Sequence, residues 1–126
     1  VAAADDLPHM VEALLESRAL DALGFARKAG ECITGSGKVA SLIRNDKALA
    51  LLHAIDGAGD GLRKLRQAIF SATGLEDGIP VFRTFTADQM SLALGANRVI
   101  HAAMTTGGAA KNALSRIRQL EQYRAG

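Results

Sequence analysis

Thr34-Gly35-Ser36-Gly37-Lys38 is the stretch of this chain whose residue types and spacing are best suited to chemistry. Two glycines, two hydroxyls and a lysine separate a short apolar triplet, Cys32-Ile33-Thr34, from a segment with helical apolar spacing. A turn of that kind exposes backbone N–H groups, sets them at the positive end of a helix and adds a cation, which together attract phosphate. A nucleotide-hydrolysing loop demands more: Gly, four residues, then Gly-Lys and a Ser or Thr. Counting back from Gly37 puts Cys32 where the first glycine belongs, and Val39 stands where the magnesium-binding hydroxyl belongs. Both departures fall on chemically required positions. The turn is therefore read as a general anion site, set against the plainer reading of a helix start that needs no ligand.

The remaining reactive side chains do not assemble a catalytic set. His9, His53 and His101 are not spaced like a helical metal pair. His53 lies in an apolar run and is expected to be a hydrogen-bonded core residue; His101 lies in a strand candidate whose facing is open. None of Ser36, Ser41, Ser71, Ser91 and Ser115 sits in a nucleophile-elbow pattern. Cys32 stands alone in a short strand, where a thiol is usually buried. Asp56 and Asp60 flank a glycine-rich loop, and helix capping accounts for Asp60 as well as a carboxylate pair does. With no acid, base and oxyanion site to combine, no enzyme activity, catalytic residue, cofactor or metal is expected.

Positive charge is grouped: Arg27-Lys28, Lys38 with Arg44 and Lys47, Arg63-Lys64-Arg66, and Arg98. Arg27-Lys28 closes a helix, where cations also offset the helix dipole. Arg63, Lys64 and Arg66 fall on an outer amphipathic face, usually only solvated. Arg98 follows Gly95-Ala96-Asn97 and opens the last strand from a loop. If that loop shares one sheet end with the turn at 34–38, then Gly37, Lys38, Asn97 and Arg98 form a polar, positive edge able to grip a nucleic-acid backbone.

The elements that must position these residues follow from apolar periodicity. Pro8 suits a first helical turn, and Met10, Val11, Leu14, Leu15, Leu20, Leu23 and Ala26 recur at helical spacing up to a stop at Gly30. After the strand 32–34, Ser36 is expected to cap a helix carrying Val39, Ala40, Leu42 and Ile43, ended by Asn45-Asp46. Ala48 to Ile55 is almost wholly apolar and reads as a strand buried on both faces. Asp60 is expected to cap a helix with Leu62, Leu65 and Ile69 inward. Ile79-Pro80-Val81-Phe82 is a strand, its proline marking an edge or strand end. Thr86 caps a short helix stopped at Gly95. Arg98 to Met104 is the last strand, and after Gly107-Gly108 a final helix places Ala110, Ala113, Leu114, Ile117 and Leu120 on one face. The alternation α-β-α-β-α-β-α-β-α predicts an α/β fold: a three-layer α-β-α sandwich around a mixed four-stranded sheet. Helical crossovers favour parallel pairs, with a short strand free to run the other way.

Size and composition agree with this plan. The chain has 126 residues, enough for one ordinary domain, and 48% of them are hydrophobic. Residues 1–6 are read as a linker or flexible lead-in and residues 7–126 as the single domain. Aromatics are 4% with no Trp, which counts against binding single strands by stacking on rings. One cysteine rules out an internal disulfide and fits a reducing, cytoplasmic setting. No apolar run approaches the ~20 residues of a membrane span. The start has no basic region of the signal-peptide type, and with no initiator Met it is expected to belong to a longer protein. Residues 1–23 carry five acids against Arg18, while residues 24–126 carry fourteen bases against eight acids, a net of +6. A basic body behind an acidic lead-in suits a polyanion partner.

Leu23-Gly24-Phe25-Ala26-Arg27-Lys28-Ala29-Gly30 followed by Thr34-Gly35-Ser36-Gly37-Lys38-Val39 resembles the opening of bacterial members of the ribosomal L-seven-Ae superfamily, the kink-turn RNA binders. The Val81 strand, the Leu94-Gly95 helix end and Val99-Ile100-His101-Ala102-Ala103 fit the same layout, so the resemblance spans roughly residues 20–106. It implies non-catalytic binding of structured RNA (ribosomal, transfer or kink-turn-like) through the glycine turn and the loop before the last strand. Carried over, the contacts are Arg27, Lys28, Gly35, Ser36, Gly37, Lys38 and Ser41, with Asn97, Arg98 and Val99 from the loop. The archaeal pattern has Asn-Glu at the positions of Gly37-Lys38, where the pair reads the sheared G·A pairs of the kink. Gly37 has no side chain and Lys38 reverses the charge, which leaves phosphate contact and removes those base-reading groups. The chain also resembles the carboxy-terminal half of fusion proteins with an amino-terminal YlxR-type nucleic-acid-binding domain. The alternative reading is a protein-interaction module that forms a homodimer, or docks on a partner domain, through the apolar faces of its terminal helices.

Overall fold

A computed structural model describes residues 7–126; the expected lead-in at 1–6 lies outside the described residues. Nine elements follow in the anticipated order: α1 (Leu7–Lys28), β1 (Cys32–Thr34), α2 (Ser36–Arg44), β2 (Ala50–His53), α3 (Gly59–Thr73), β3 (Val81–Phe82), α4 (Ala87–Leu94), β4 (His101–Met104) and α5 (Gly108–Ala125). The strands form one mixed sheet in the order β1-β4-β2-β3. β4, last in sequence, is inserted between β1 and β2 and runs antiparallel to both. Only β2 and β3 pair in parallel. Crossover helices therefore favour parallel pairing less than expected, because the neighbour of β1 and β2 comes from the far end of the chain.

Side-chain alternation along the strands divides the core in two. Ala50, Leu52, Ala102 and Met104 face one side and join Ala19, Leu23 and Ala26 of α1, Met90 and Leu94 of α4, and the inner face of α5. Leu51 and Ala103 face the other and meet Val39 and Ile43 of α2 with Leu65 and Ile69 of α3. The molecule is the expected three-layer sandwich. The whole anticipated face of α5, Ala110, Ala113, Leu114, Ile117 and Leu120, is buried. β2 is buried at every position, as its unbroken apolar run requires. β3 is an edge strand, and Pro80 stands just before it with its carbonyl accepting from the Leu51 N–H at 2.9 Å.

α1 packs along α5, but its fully buried residues begin only at Ala19, with Leu15 partly buried against the core; Met10, Val11 and Leu14 are exposed. The amino-terminal half of α1 is held instead by polar ties. Arg124 reaches Glu16 at 2.6 Å and Glu12 at 3.5 Å, and the Tyr123 hydroxyl donates to the Pro8 carbonyl at 3.0 Å. Two helix starts, those of α4 and α5, are set by acceptors from elsewhere in the chain or from a local box. Thr86 and Gln89 form a reciprocal capping box on α4. Asp56 accepts from the Ala87 N–H at 2.8 Å, and Glu31 accepts from the Ala110 N–H at 2.9 Å in the first turn of α5.

Two expected caps are corrected. Ser36 does not cap α2: Gly35 occupies that position with φ 99° and makes no side-chain bond, and Ser36 is already helical. Asp60 does not cap α3, which starts from Ala58; it lies in the first turn and pairs with Arg63 and with Lys64. The last strand is also shorter than expected, since it begins at His101 and residues 98–100 belong to the loop that leads into it.

Candidate nucleic-acid interface

The antiparallel pairing of β1 with β4 decides where the site lies. Thr34 is registered with Ala102, so the end of β1 lies beside the start of β4. The turn that leaves β1 and the loop that enters β4 therefore emerge at one sheet end. Between them is a cleft of about 330 Å³, walled by Gly35 and Ser36 on one side and by Asn97, Arg98, Val99 and His101 on the other. Larger grooves lie between α1 and α4 and beside α3. Neither brings together two separate loops with free donors and a cation.

On the turn side, positive φ at Gly35 directs the chain from strand to helix, a conformation that L side chains rarely adopt. The first bond of the α2 ladder is Val39 N–H to the Gly35 carbonyl at 2.9 Å. The N–H groups of Ser36, Gly37 and Lys38 precede that ladder, and no side chain caps them. This is a set of exposed donors at a positive helix end. Ser36, Gly37 and Lys38 are all exposed. Gly37 is not part of the turn itself but the second residue of α2, with ordinary φ and open space around its α-carbon. Ser41 lies one turn on and accepts from the Asn45 side chain at 3.3 Å.

On the loop side, Gly95 ends α4 in the left-handed region, and Arg98 adopts φ 54°. A side-chain-bearing residue there is strained and is held by its surroundings. The restraint is visible next door: the Ser91 hydroxyl of α4 accepts from the Val99 N–H at 2.9 Å, and the Val99 side chain is buried in the core. Asn97 and Arg98 are exposed. Val99 is thus a wall and an anchor, with neither its N–H nor its side chain free for a ligand.

The structure does not bring Arg27 and Lys28 to the cleft. Arg27 turns inward, and its guanidinium donates to the Cys32 carbonyl at 3.2 Å. Lys28 lines the groove between α1 and α4. Arg63 and Lys64 are committed to Asp60. Cys32 is buried, as expected; burial pushes its thiol up to about 11, against the opposing pull of Arg27, which leaves it protonated and unreactive at neutral pH.

The histidines differ most from expectation. His53 is buried, but neither ring nitrogen has a hydrogen-bond partner. It stands opposite His101 in the β2–β4 register, with the two rings edge to face and 6.4 Å apart. Burial lowers the pKa of both; for His53 the positive charges of Arg83 and Arg66 and the neighbouring His101 lower it further. His101 is half-buried and lines the cleft. Sequence reasoning left its facing open. Register against Ala103, two residues on and inward, is the signal that places it. Among the described residues no group of three His, Cys, Asp or Glu is arranged to hold a metal ion, and no helix is long and apolar enough to cross a membrane.

The arrangement defines an α/β sandwich with an anion-attracting cleft at one sheet end, and solved structures share its fold. A Bacillus halodurans C protein of unknown function superposes with a TM-score of 0.66 at 20% identity, covering 80% of this chain and 97% of the other. The Giardia lamblia 15.5 kDa RNA binding protein superposes with a TM-score of 0.63 at 15% identity, covering 86% of this chain and 89% of the other. The sequence matches no protein-family model and no curated protein. At these identities the likeness shows the fold alone, and that fold is the anticipated three-layer α-β-α sandwich.

Proposed function

We propose that this domain binds structured RNA in the cleft between the start of α2 and the loop before β4, as a bacterial-type member of the L-seven-Ae superfamily and without catalysing a reaction. The observation that carries the reading is the convergence of two unconnected segments on one small cleft, lined by Gly35 and Ser36 from the turn and by Asn97 and Arg98 from the loop, with the uncapped N–H groups of Gly37 and Lys38 next to it in the first turn of α2. The RNA-binding fold neighbour from Giardia supports it. Gly35, Ser36, Gly37, Lys38, Asn97 and Arg98 grip the sugar-phosphate backbone, and Ser41 lies at the margin. Since backbone contacts position rather than specify, affinity depends on RNA shape, and salt weakens it through counterion release. A ribosomal, transfer or kink-turn-like RNA of the cytoplasm meets those terms. Lys38→Glu with Arg98→Glu, read by fluorescence anisotropy on a labelled bulged RNA hairpin, is expected to weaken binding by about 100-fold and to flatten the salt dependence. Unchanged affinity in that double variant overturns the site.

A second reading rests on the exposed apolar stripe Leu7, Met10, Val11 and Leu14 of α1. It makes this face a docking surface for a fused domain, such as one of YlxR type, or for a second copy. Sedimentation velocity of the wild type against Met10→Glu/Leu14→Glu separates these from a monomer that uses the stripe for neither.

A further inference from the structure

We propose that His101 is a contact of the RNA cleft that takes up one proton when a phosphate is seated there, so that RNA binding is linked to pH. The inference rests on the reading of the cleft as an RNA site. Its own ground is geometric. His101 forms part of the wall of a cleft of about 330 Å³, together with Gly35, Ser36, Asn97 and Arg98. In so small a space, a phosphate held by the N–H groups of the turn and by Arg98 also meets the imidazole.

The groups around the ring set its charge. His53 faces it from β2 and Arg98 precedes it in the loop, while Arg66 of α3 and Arg83 after β3 act on His53 behind it. Every one is neutral or cationic, and no carboxylate contributes to holding a proton on either ring. In the free protein His101 is therefore uncharged at neutral pH, with its pKa lowered by burial. An RNA phosphate supplies the missing counter-charge and raises that pKa. His53 cannot share the uptake. It is 1% exposed, both its ring nitrogens lack partners, and Arg66 and Arg83 already oppose charge there. A single proton is taken up, and it resides on His101.

The sign follows from linkage. A group whose pKa is higher in the complex than in the free protein strengthens binding as pH falls through the bound-state pKa, and the gain levels off below the free-state value. With one proton, Kd changes by at most about ten-fold per pH unit.

The test is anisotropy with a fluorescein-labelled bulged RNA hairpin at fixed salt, from about pH 8 to about pH 5.5, a range in which histidine titrates. Wild-type Kd is expected to fall by about ten-fold, and His101→Gln, whatever its affinity at the alkaline end, is expected to stay flat across the range. A second measurement needs no variant: the His101 Cε1–H resonance of the wild-type protein is titrated with and without the same RNA, and its pKa is expected to rise in the complex. A slope that persists in His101→Gln, or a His101 pKa unmoved by RNA, overturns the proposal. A flat wild-type profile in a protein whose binding still depends on Lys38 and Arg98 overturns it alone. Binding that ignores Lys38 and Arg98 overturns the cleft reading, and this proposal with it.

Discussion

The Ser91 hydroxyl accepts the Val99 N–H at 2.9 Å, tying the middle of α4 to the loop that presents Asn97 and Arg98. That one bond fixes the loop from behind while the burial of Val99 fixes it from below. Ser91→Ala leaves the Val99 N–H without its acceptor in a half-closed environment. It is expected to reduce stability by about 1 kcal/mol, to speed hydrogen exchange at the Val99 amide and to weaken RNA binding several-fold. Unchanged exchange at Val99 would show that the loop is held by packing alone.

Arg98 separates strain from recognition. With φ 54° its backbone favours glycine, so Arg98→Gly relieves strain on the order of 1 kcal/mol while removing the guanidinium. The melting temperature is expected to hold or rise as RNA affinity falls. Arg98→Ala keeps the strain and loses the charge, and is expected to be the less stable of the two in thermal denaturation.

The two glycines of the turn are expected to behave oppositely. Gly35 has φ 99° and resists any side chain, so Gly35→Ala is expected to destabilise by about 1–2 kcal/mol. Gly37 sits inside α2 with nothing near its α-carbon, so Gly37→Ala is expected to stabilise by about 0.5–1 kcal/mol. Urea denaturation of both variants checks this, and equal effects would place Gly37 outside the helix.

Glu31 accepts from the Ala110 N–H at 2.9 Å, and its backbone carbonyl accepts from Thr105 at 3.0 Å. Glu31→Ala removes an acceptor from the start of α5, the helix whose buried face, Ala110 to Leu120, packs into one core layer. A loss of about 1 kcal/mol is expected in chemical denaturation, with RNA affinity intact because Glu31 is not part of the cleft.

Buried His53 makes stability depend on pH. Its folded pKa is lowered from 6.5 by burial first and then by Arg83, His101 and Arg66. The unfolded chain therefore binds the proton more readily. Stability is level above about pH 6.5 and falls as pH drops below it, until the folded pKa is passed. His53→Phe is expected to remove part of that slope in denaturation curves taken at several pH values. If the slope is the same with and without the substitution, another group carries it.

Much of this was readable in the chain itself. The face of α5 followed from helical spacing, the Thr86 cap of α4 from residue type, and the burial of β2 from an unbroken apolar run, because each depends on neighbours within a few residues. Local signals misled where two caps were possible. Ser36 and Asp60 are good capping residues, but Gly35 can take a left-handed φ that Ser36 would resist, and Asp60 found Arg63 and Lys64 within its own turn. The sequence reading of His53 as hydrogen-bonded failed for a different reason: its surroundings come from β4, α3 and the segment after β3, all distant in sequence.

By itself the sequence determined the order and kind of the elements, the three layers, and the composition of the glycine turn, since these rest on periodicity and local backbone preference. Only the tertiary structure decided which of the basic residues belong together. Inserting β4 between β1 and β2 brings Arg98 and His101 to the turn at Gly35 and Ser36, and sets His101 edge to face with His53. The same packing turns Arg27 onto the Cys32 carbonyl and sends Lys28 to another groove. Strand order is set by which apolar faces can be buried together across the whole chain, and no window of residues carries that information.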